Sequence, residues 1–123
     1  MPHATSFDPG SRLLTVAVDG LWTEEDANEL DGELRQYLPR SDNRNLAVDL
    51  ETALRFEGTE ARRRTARVLQ EHGITHLVVY NARPAVRILV KILLQLAGTG
   101  TKGRFFPSRE EAIAWIQQER QGK

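Results

Sequence analysis

Few residues of the types that carry chemistry stand at the spacing that a catalytic site needs. The chain of 123 residues contains no cysteine, which excludes thiol catalysis, thiolate metal ligands and disulfide bonds. Its four serines lie in sequences typical of turns or helix caps, and no G-x-S-x-G elbow is present. Open α/β sheets bind ligands at strand ends. The carboxylates predicted near strand ends are Asp19, Asp49, Glu51 and Glu57. Carboxylates at such positions could act as acids or bases, but they are more often caps or solvated groups. We therefore predict no catalytic residues and no enzyme.

The three histidines do not indicate a metal site. His72 and His76 are four residues apart, but Gly73 interrupts any helix between them. A metal would need a third ligand, and no carboxylate stands near this pair at ligand spacing. We predict that His72 ends a helix and that His76 lies in a strand. No metal and no cofactor are expected.

Two conspicuous motifs do not support nucleotide or nucleic-acid binding. Residues Gly98–Gly103 match the letters G-x-G-x-x-G, but a helix precedes them and a strand follows, the reverse of a dinucleotide site. The run Arg62–Arg64 could contact phosphates, yet the net charge is zero and no aromatic residue neighbours the run.

The charges are unevenly distributed along the chain. Residues 1–60 carry 13 acidic and 5 basic side chains, and residues 61–123 carry 4 acidic and 12 basic ones. The charges of these halves either pair within one fold or form opposed faces that support oligomers or bind an anionic partner.

Apolar periodicity alternates between that of strands and that of helices along the chain. A strong turn is predicted at Asp8–Ser11, and Pro39 is expected to end the first helix. We predict a single α/β domain over residues 1–123, with a mixed, mostly parallel sheet of about five strands and four alternating helices. The predicted strands are His3–Phe7, Leu13–Val18, Leu46–Leu50, Ile74–Tyr80 and Gly103–Phe106, and the helices begin at Thr23, Thr59, Pro84 and Ser108.

The predicted third helix, residues 84–97, is unusually apolar. Between Ala85 and Ala97 only Arg87, Lys91 and Gln95 are polar, and they form one narrow stripe. The apolar surface is explained by cover from neighbouring helices, by a homodimer seam, or by a pocket for an apolar ligand or a membrane surface. The segment is too short to span a bilayer. The candidate partner or ligand surface is Val86, Leu89, Val90, Leu93 and Leu96.

Three segments carry a resemblance to a known family. They are Gly20–Asp26, Leu46–Leu50 and Arg104–Ile116, the last a strand with Phe followed by a capped helix with Glu-Ala and Trp. With this order of elements, the chain resembles the SpoIIAA-like family, which is related in fold to STAS domains. The resemblance covers about residues 12 to 118 and implies a mixed sheet with alternating helices.

The resemblance also implies a candidate phosphoacceptor. In STAS-type anti-sigma-factor antagonists, an Asp-Ser-Ser-Gly stretch at the start of the second long helix carries a phosphorylated serine. The matching stretch here is Glu57–Glu60, in which Gly58 replaces the first serine and Thr59 stands at the second. Thr59 is therefore a possible phosphoacceptor, or else a plain helix cap.

These observations predict a binding or regulatory domain without enzymatic activity, acting through protein–protein contact and forming a homodimer through apolar helix surface. The alternative is a carrier or sensor of a lipid or other small hydrophobic ligand that uses helix 84–97. No nucleic acid is expected as a partner. The N-terminus shows no signal peptide, which favours a cytoplasmic protein.

Overall fold

The computed structural model describes residues 3–8, 13–37, 45–98 and 100–121. The strands are β1 (His3–Asp8), β2 (Leu13–Trp22), β3 (Asn45–Phe56), β4 (His76–Tyr80) and β5 (Lys102–Phe106). The helices are α1 (Glu24–Tyr37), α2 (Gly58–Glu71), α3 (Pro84–Ala97) and α4 (Arg109–Gln121). Most of the predicted turn at Asp8–Ser11, and Pro39 itself, fall outside the described residues.

The five described strands form one sheet in the order in which they occur along the chain, β1-β2-β3-β4-β5. β1 pairs with β2 in the antiparallel direction, and every later pair is parallel. The four helices alternate with the parallel strands, as βαβ crossovers require. The predicted fold class is confirmed. No helix in the described segments is long and apolar enough to cross a membrane.

β2 and β3 are longer than their apolar patterns predict. The prediction ended β3 at Leu50, but the strand continues to Phe56 because its backbone pairs with β2, with Ala53 opposite Gly20 and Phe56 opposite Trp22. Two register irregularities interrupt this pairing, between Ala17 and Asp19 and between Gly20 and Leu21. β4 ends at Tyr80, which pairs with Phe106 of β5. The ends of β2 and β3 therefore project beyond the rest of the sheet.

The two faces of the sheet are covered unequally. Alternate side chains of β2, such as Leu14 and Val16, pack with α1, α2 and α3 in the larger core. Of the described helices, α4 covers the opposite face, where Ala112 and Ile116 contact β3 and β4. α3 approaches β5 closely, since a Cβ added at Gly103 would lie 2.2 Å from a methyl carbon of Leu94. The apolar face of α3 therefore belongs to the larger core.

The start of α1 is fixed by a reciprocal cap. The backbone amide of Asp26 donates to Oγ1 of Thr23 over 3.1 Å, and the amide and hydroxyl of Thr23 both donate to Oδ2 of Asp26. This is the capping-box arrangement, with aspartate in the place of glutamate. The predicted role of Thr23 as a cap is confirmed. Asp26 is 2% exposed, so its carboxylate belongs to the interior.

A charged network joins α1 to α2. Nε2 of His72, at the end of α2, lies 2.5 Å from Oδ1 of Asp31, and Nη2 of Arg64 lies 3.5 Å from Oδ2. Nε of Arg64 also donates to Oδ1 of Asn28 over 2.7 Å. The hydrogen bond from His72 is the main reason why the pKa of Asp31 lies below its usual value, with burial opposing it and Arg35 and Arg64 adding to it. Part of the arginine run is thus used inside the fold.

Replacing Asp31 by asparagine is expected to lower the free energy of unfolding by about 1–2 kcal/mol at pH 7. A carboxylate whose pKa is lowered by folding stabilises the protein above its unfolded-state pKa, and that stabilisation is lost as the pH falls through the folded-state pKa. The loss should therefore persist down to about pH 4 and shrink below it. Urea unfolding at pH 7 and pH 3, with Glu25→Gln as an exposed control on α1, measures it. A loss that is equal at both pH values would contradict this explanation.

Candidate functional site: an apolar cavity under α3

The structure divides the five predicted surface residues of α3 between two environments. Val86, Val90 and Leu93 are 5%, 6% and 5% exposed and belong to the larger core. Leu89 is half-buried, whereas Leu96 is 47% exposed. Of these five residues, Leu96 alone is therefore exposed at the surface. The other four line a cavity inside the protein.

The cavity lies between the sheet and the helices α1, α2 and α3, and its volume is about 80 Å³. A single water molecule needs about 10–15 Å³ on the same measure, so the space is several times larger than one water. β2, β3 and β4 form its floor, and α3 with α2 forms its roof. The lining comprises Val16, Val18, Trp22, Leu30, Leu46, Val48, Leu50, Ala53, Arg55, Phe56, Thr65, Leu69, Leu77, Val79, Val86, Leu89, Val90 and Leu93.

The few polar groups in this lining are already paired or reach solvent. Nε1 of Trp22 donates to Oγ1 of Thr65 over 2.9 Å, and that hydroxyl donates to the carbonyl of Ala61 over 2.7 Å. The one charged residue in the lining is Arg55, which is exposed and marks the open side of the cavity. Water inside would find few partners, because a buried water usually makes about three hydrogen bonds. The cavity therefore suits an apolar ligand better than water.

The sequence indicated one wall of this cavity and missed the others. The apolar run of α3 predicted a ligand surface, and four of its five candidate residues line the space. The floor comes from apolar side chains of β2, β3 and β4, and the patterns of these segments predict strands without indicating a ligand surface. Ala53 and Phe56 were missed because they lie in the part of β3 beyond the predicted strand. Continued backbone pairing with β2 is what places them there.

The carboxylates singled out near the strand ends do not assemble into a catalytic group. Asp19, Glu51 and Glu57 are exposed. Oδ1 of Asp49 accepts hydrogen bonds from the backbone amide of Glu51 over 3.1 Å and from Nδ2 of Asn81 over 3.3 Å. Asp49 lies inside β3 and not at its end, and these two contacts tie its carboxylate to the backbone of its own strand and to the residue that follows β4, which is a structural role.

Tyr80 ends the adjacent strand at the same edge. Burial raises the pKa of the Tyr80 hydroxyl, with Asp49 adding to the effect and Arg109 opposing it. A hydroxyl with a raised pKa stays neutral at physiological pH, so it makes a poor base. Among the described residues at this edge, no group is placed as an activated nucleophile.

Thr59 lies in the first turn of α2 and is exposed. The helix begins at Gly58 with Glu57 as its N-cap, so the prediction that Thr59 opens or caps the helix was off by one to two residues. Gly58 has a positive φ of 87°, which glycine adopts without strain and which turns the chain from β3 into the helix. The hydroxyl of Thr59 remains accessible at the positive end of the helix dipole.

Comparison with solved structures defines the class of fold. An uncharacterised DUF3478-family protein from Shewanella loihica PV-4, described as having a SpoIIAA-like fold, superposes with a TM-score of 0.70 at 14% identity, covering 93% of this chain and 91% of that one. The anti-sigma factor antagonist SpoIIAA in its unphosphorylated form gives 0.61 at 10% identity, covering 94% and 97%. A serine-to-glutamate variant of Moorella thermoacetica RsbS gives 0.60 at 12% identity, covering 98% and 99%. The fold is therefore that of SpoIIAA.

The family model for SpoIIAA-like proteins matches residues 13–117, and the chain belongs to the SpoIIAA-like family. The match begins at the first residue of β2 and ends within α4. The predicted family is confirmed. No curated protein sequence matches the chain. The identities to the solved structures are low enough that they bear on the fold alone.

Proposed function

We propose that this protein is a single, non-enzymatic domain that binds a small hydrophobic ligand in the cavity under α3 and acts in the cytoplasm as a carrier or sensor of that ligand. The observation that carries the proposal is the cavity itself, with its almost wholly apolar lining. It favours this function over protein–protein contact as the first candidate, because Val86, Val90 and Leu93 face the interior.

The chemistry of the lining narrows the ligand class. Aliphatic side chains from three strands and three helices surround the space, which favours alkyl or aryl groups. A few buried ligand atoms are enough for binding, because small ligands gain up to about 1.5 kcal/mol for each non-hydrogen atom. Arg55 at the open side would pair with an anionic end group. A short fatty acid, with its chain inside and its carboxylate at Arg55, meets both conditions.

Ala53→Leu is expected to weaken binding of octanoate about tenfold or more while leaving the protein folded. Ala53 is 4% exposed and lines the cavity, so a larger side chain there occupies the space that the ligand needs. Isothermal titration with octanoate measures the affinity, and thermal unfolding checks the fold. Filling a cavity commonly preserves or raises stability.

The matched control is Ala85→Leu, the same change at an exposed position of α3 outside the cavity. It should leave octanoate affinity unchanged. Native mass spectrometry of freshly purified protein extends the test to ligands acquired in the cell. If wild type binds no octanoate and carries no hydrophobic molecule, the proposal fails.

A second candidate function is regulation through self-association on the outer side of α3. Ile88 and Leu96 are 59% and 47% exposed, and large apolar side chains at such exposure are typical of contact surfaces. One structural relative is an anti-sigma factor antagonist, which supports a regulatory role. Light scattering at high micromolar concentration tests the homodimer, and a strict monomer would remove this candidate.

Thr59 stays a proposed phosphoacceptor of such a regulatory domain, since its hydroxyl is accessible.

A further inference from the structure

One histidine and two carboxylates meet where β1 crosses the first turns of α1. His3 begins β1, and Asp26 and Glu29 stand three residues apart on one face of α1. One potential ligand atom from each of the three lies within 4.8 Å of the others. We propose that these residues form a binding site for a divalent transition metal ion, Zn²⁺, separate from the apolar cavity.

The strongest sign of a ligand is a nitrogen in the interior that makes no hydrogen bond. The His3 side chain is 3% exposed, and its Nδ1 atom has no hydrogen-bond partner. Buried polar atoms are nearly always paired, so an orphaned imidazole nitrogen calls for an explanation. A metal ion bound to Nδ1 supplies the missing partner, because neutral imidazole is a common zinc ligand.

Asp26 directs one of its two carboxylate oxygens toward the same point. Its Oδ2 atom accepts from the amide and the hydroxyl of Thr23 in the cap of α1. Its Oδ1 atom faces Nδ1 of His3 at 3.5 Å. Two ligands with metal bonds of about 2.0–2.1 Å stand about 3.4 Å apart at a tetrahedral angle. The observed separation therefore fits two ligands of one tetrahedral ion.

The second nitrogen of the imidazole ring faces a carboxylate, as it usually does in a metal-binding histidine. Nε2 of His3 lies 3.5 Å from Oε1 of Glu33, and Oε1 has no other partner. The hydroxyl of Thr5 donates to the second oxygen of Glu33 and holds that carboxylate in place. A carboxylate on the far nitrogen orients the ring and raises its basicity as a ligand.

The remaining features favour zinc over a purely structural ion pair. The ligand set has one nitrogen and two carboxylates, which balance the charge of Zn²⁺ and leave a fourth position. Glu29 is exposed, so that position and the route of entry lie on the solvent side. The sequence did not indicate this site, because His3 is 23 residues from Asp26 and only the pairing of β1 with β2 brings them together.

Titration of the untagged, chelator-treated full chain with Zn²⁺ tests the proposal. Wild type is expected to bind one equivalent. Glu29→Gln is expected to bind about tenfold more weakly or worse, since it removes an exposed ligand without disturbing the core. Glu25→Gln, an exposed neighbour on α1 that is not a ligand, is the matched control and should bind as wild type does.

His3→Gln should abolish stoichiometric binding and the rise in melting temperature that Zn²⁺ gives to wild type. If this variant fails to fold, the comparison of Glu29→Gln with Glu25→Gln decides the matter alone. Failure of wild type to bind one equivalent would overturn the proposal. So would equal affinities in the two glutamine variants, which would show that zinc binds elsewhere on the surface.

Discussion

Replacing Leu93 by arginine is expected to unfold the protein, whereas the same change at Leu96 should alter the free energy of unfolding by no more than about 0.5 kcal/mol. Leu93 is 5% exposed and packs in the larger core, so the change removes a buried side chain and buries an unpaired charge. Loss of the packing alone costs about 2–5 kcal/mol. An uncompensated buried charge adds several more, against a total stability of about 5–15 kcal/mol.

Leu96 provides the control, since it lies three residues away on the same helix and is 47% exposed. Circular dichroism and urea unfolding separate the two variants. Light scattering then adds information on self-association. If the outer side of α3 is a dimer seam, Leu96→Arg gives a folded monomer. A folded Leu93→Arg variant that merely lost dimers would contradict the burial of Leu93.

The second large effect is expected from Leu69→Ala, which should cost about 2–5 kcal/mol of stability and enlarge the cavity. Leu69 is 1% exposed and lies in the roof of the cavity on α2. An enlarged apolar cavity stays dry and binds small apolar molecules such as benzene. Benzene is therefore expected to raise the melting temperature of this variant, because it binds the folded state and not the unfolded one.

Leu34→Ala is the matched control for this experiment. Leu34 is fully buried in the same core, but it does not line the cavity. The same truncation should destabilise the protein to a similar degree, and benzene should restore less of the loss. Equal recovery of the two variants would mean that benzene fills whichever void a truncation leaves, and that the native cavity has no special affinity for apolar ligands.

The sequence predicted the fold well because its strongest local signals agreed with one another. Glycine and proline marked the ends of several elements, and Thr23 with its acidic neighbours marked the start of α1. The sequence predicted the boundaries of β3 poorly. After Leu50 the chain exposes Glu51 and Thr52 in succession, so the apolar pattern ends although the strand does not. Backbone pairing with β2 extends the strand, and no side-chain pattern reports such pairing.

The candidate site could be predicted only as one surface of one helix. α3 is apolar on most of its circumference, and this pattern fits a core, a partner or a pocket equally well. Which of these three applies depends on the distance between the helix and the sheet. That distance is set by the packing of the whole domain and not by the sequence of α3. The grouping of His3 with Asp26 has the same origin. It requires two elements that are separated in the sequence to cross at one point.

The order of the strands has a consequence for how the chain folds. Each strand pairs with the strand that follows it in the sequence, so no strand has to be inserted between two that are already paired. The parallel pairs join residues such as Leu14 with Leu46 and Asn45 with His76, so each pairing closes a single βαβ loop, and a pairing across a longer loop would cost more entropy. The sheet can therefore be assembled in order from β1 toward β5 as the chain leaves the ribosome. α3 then closes over a floor of β2, β3 and β4 that is already complete before β5 is added.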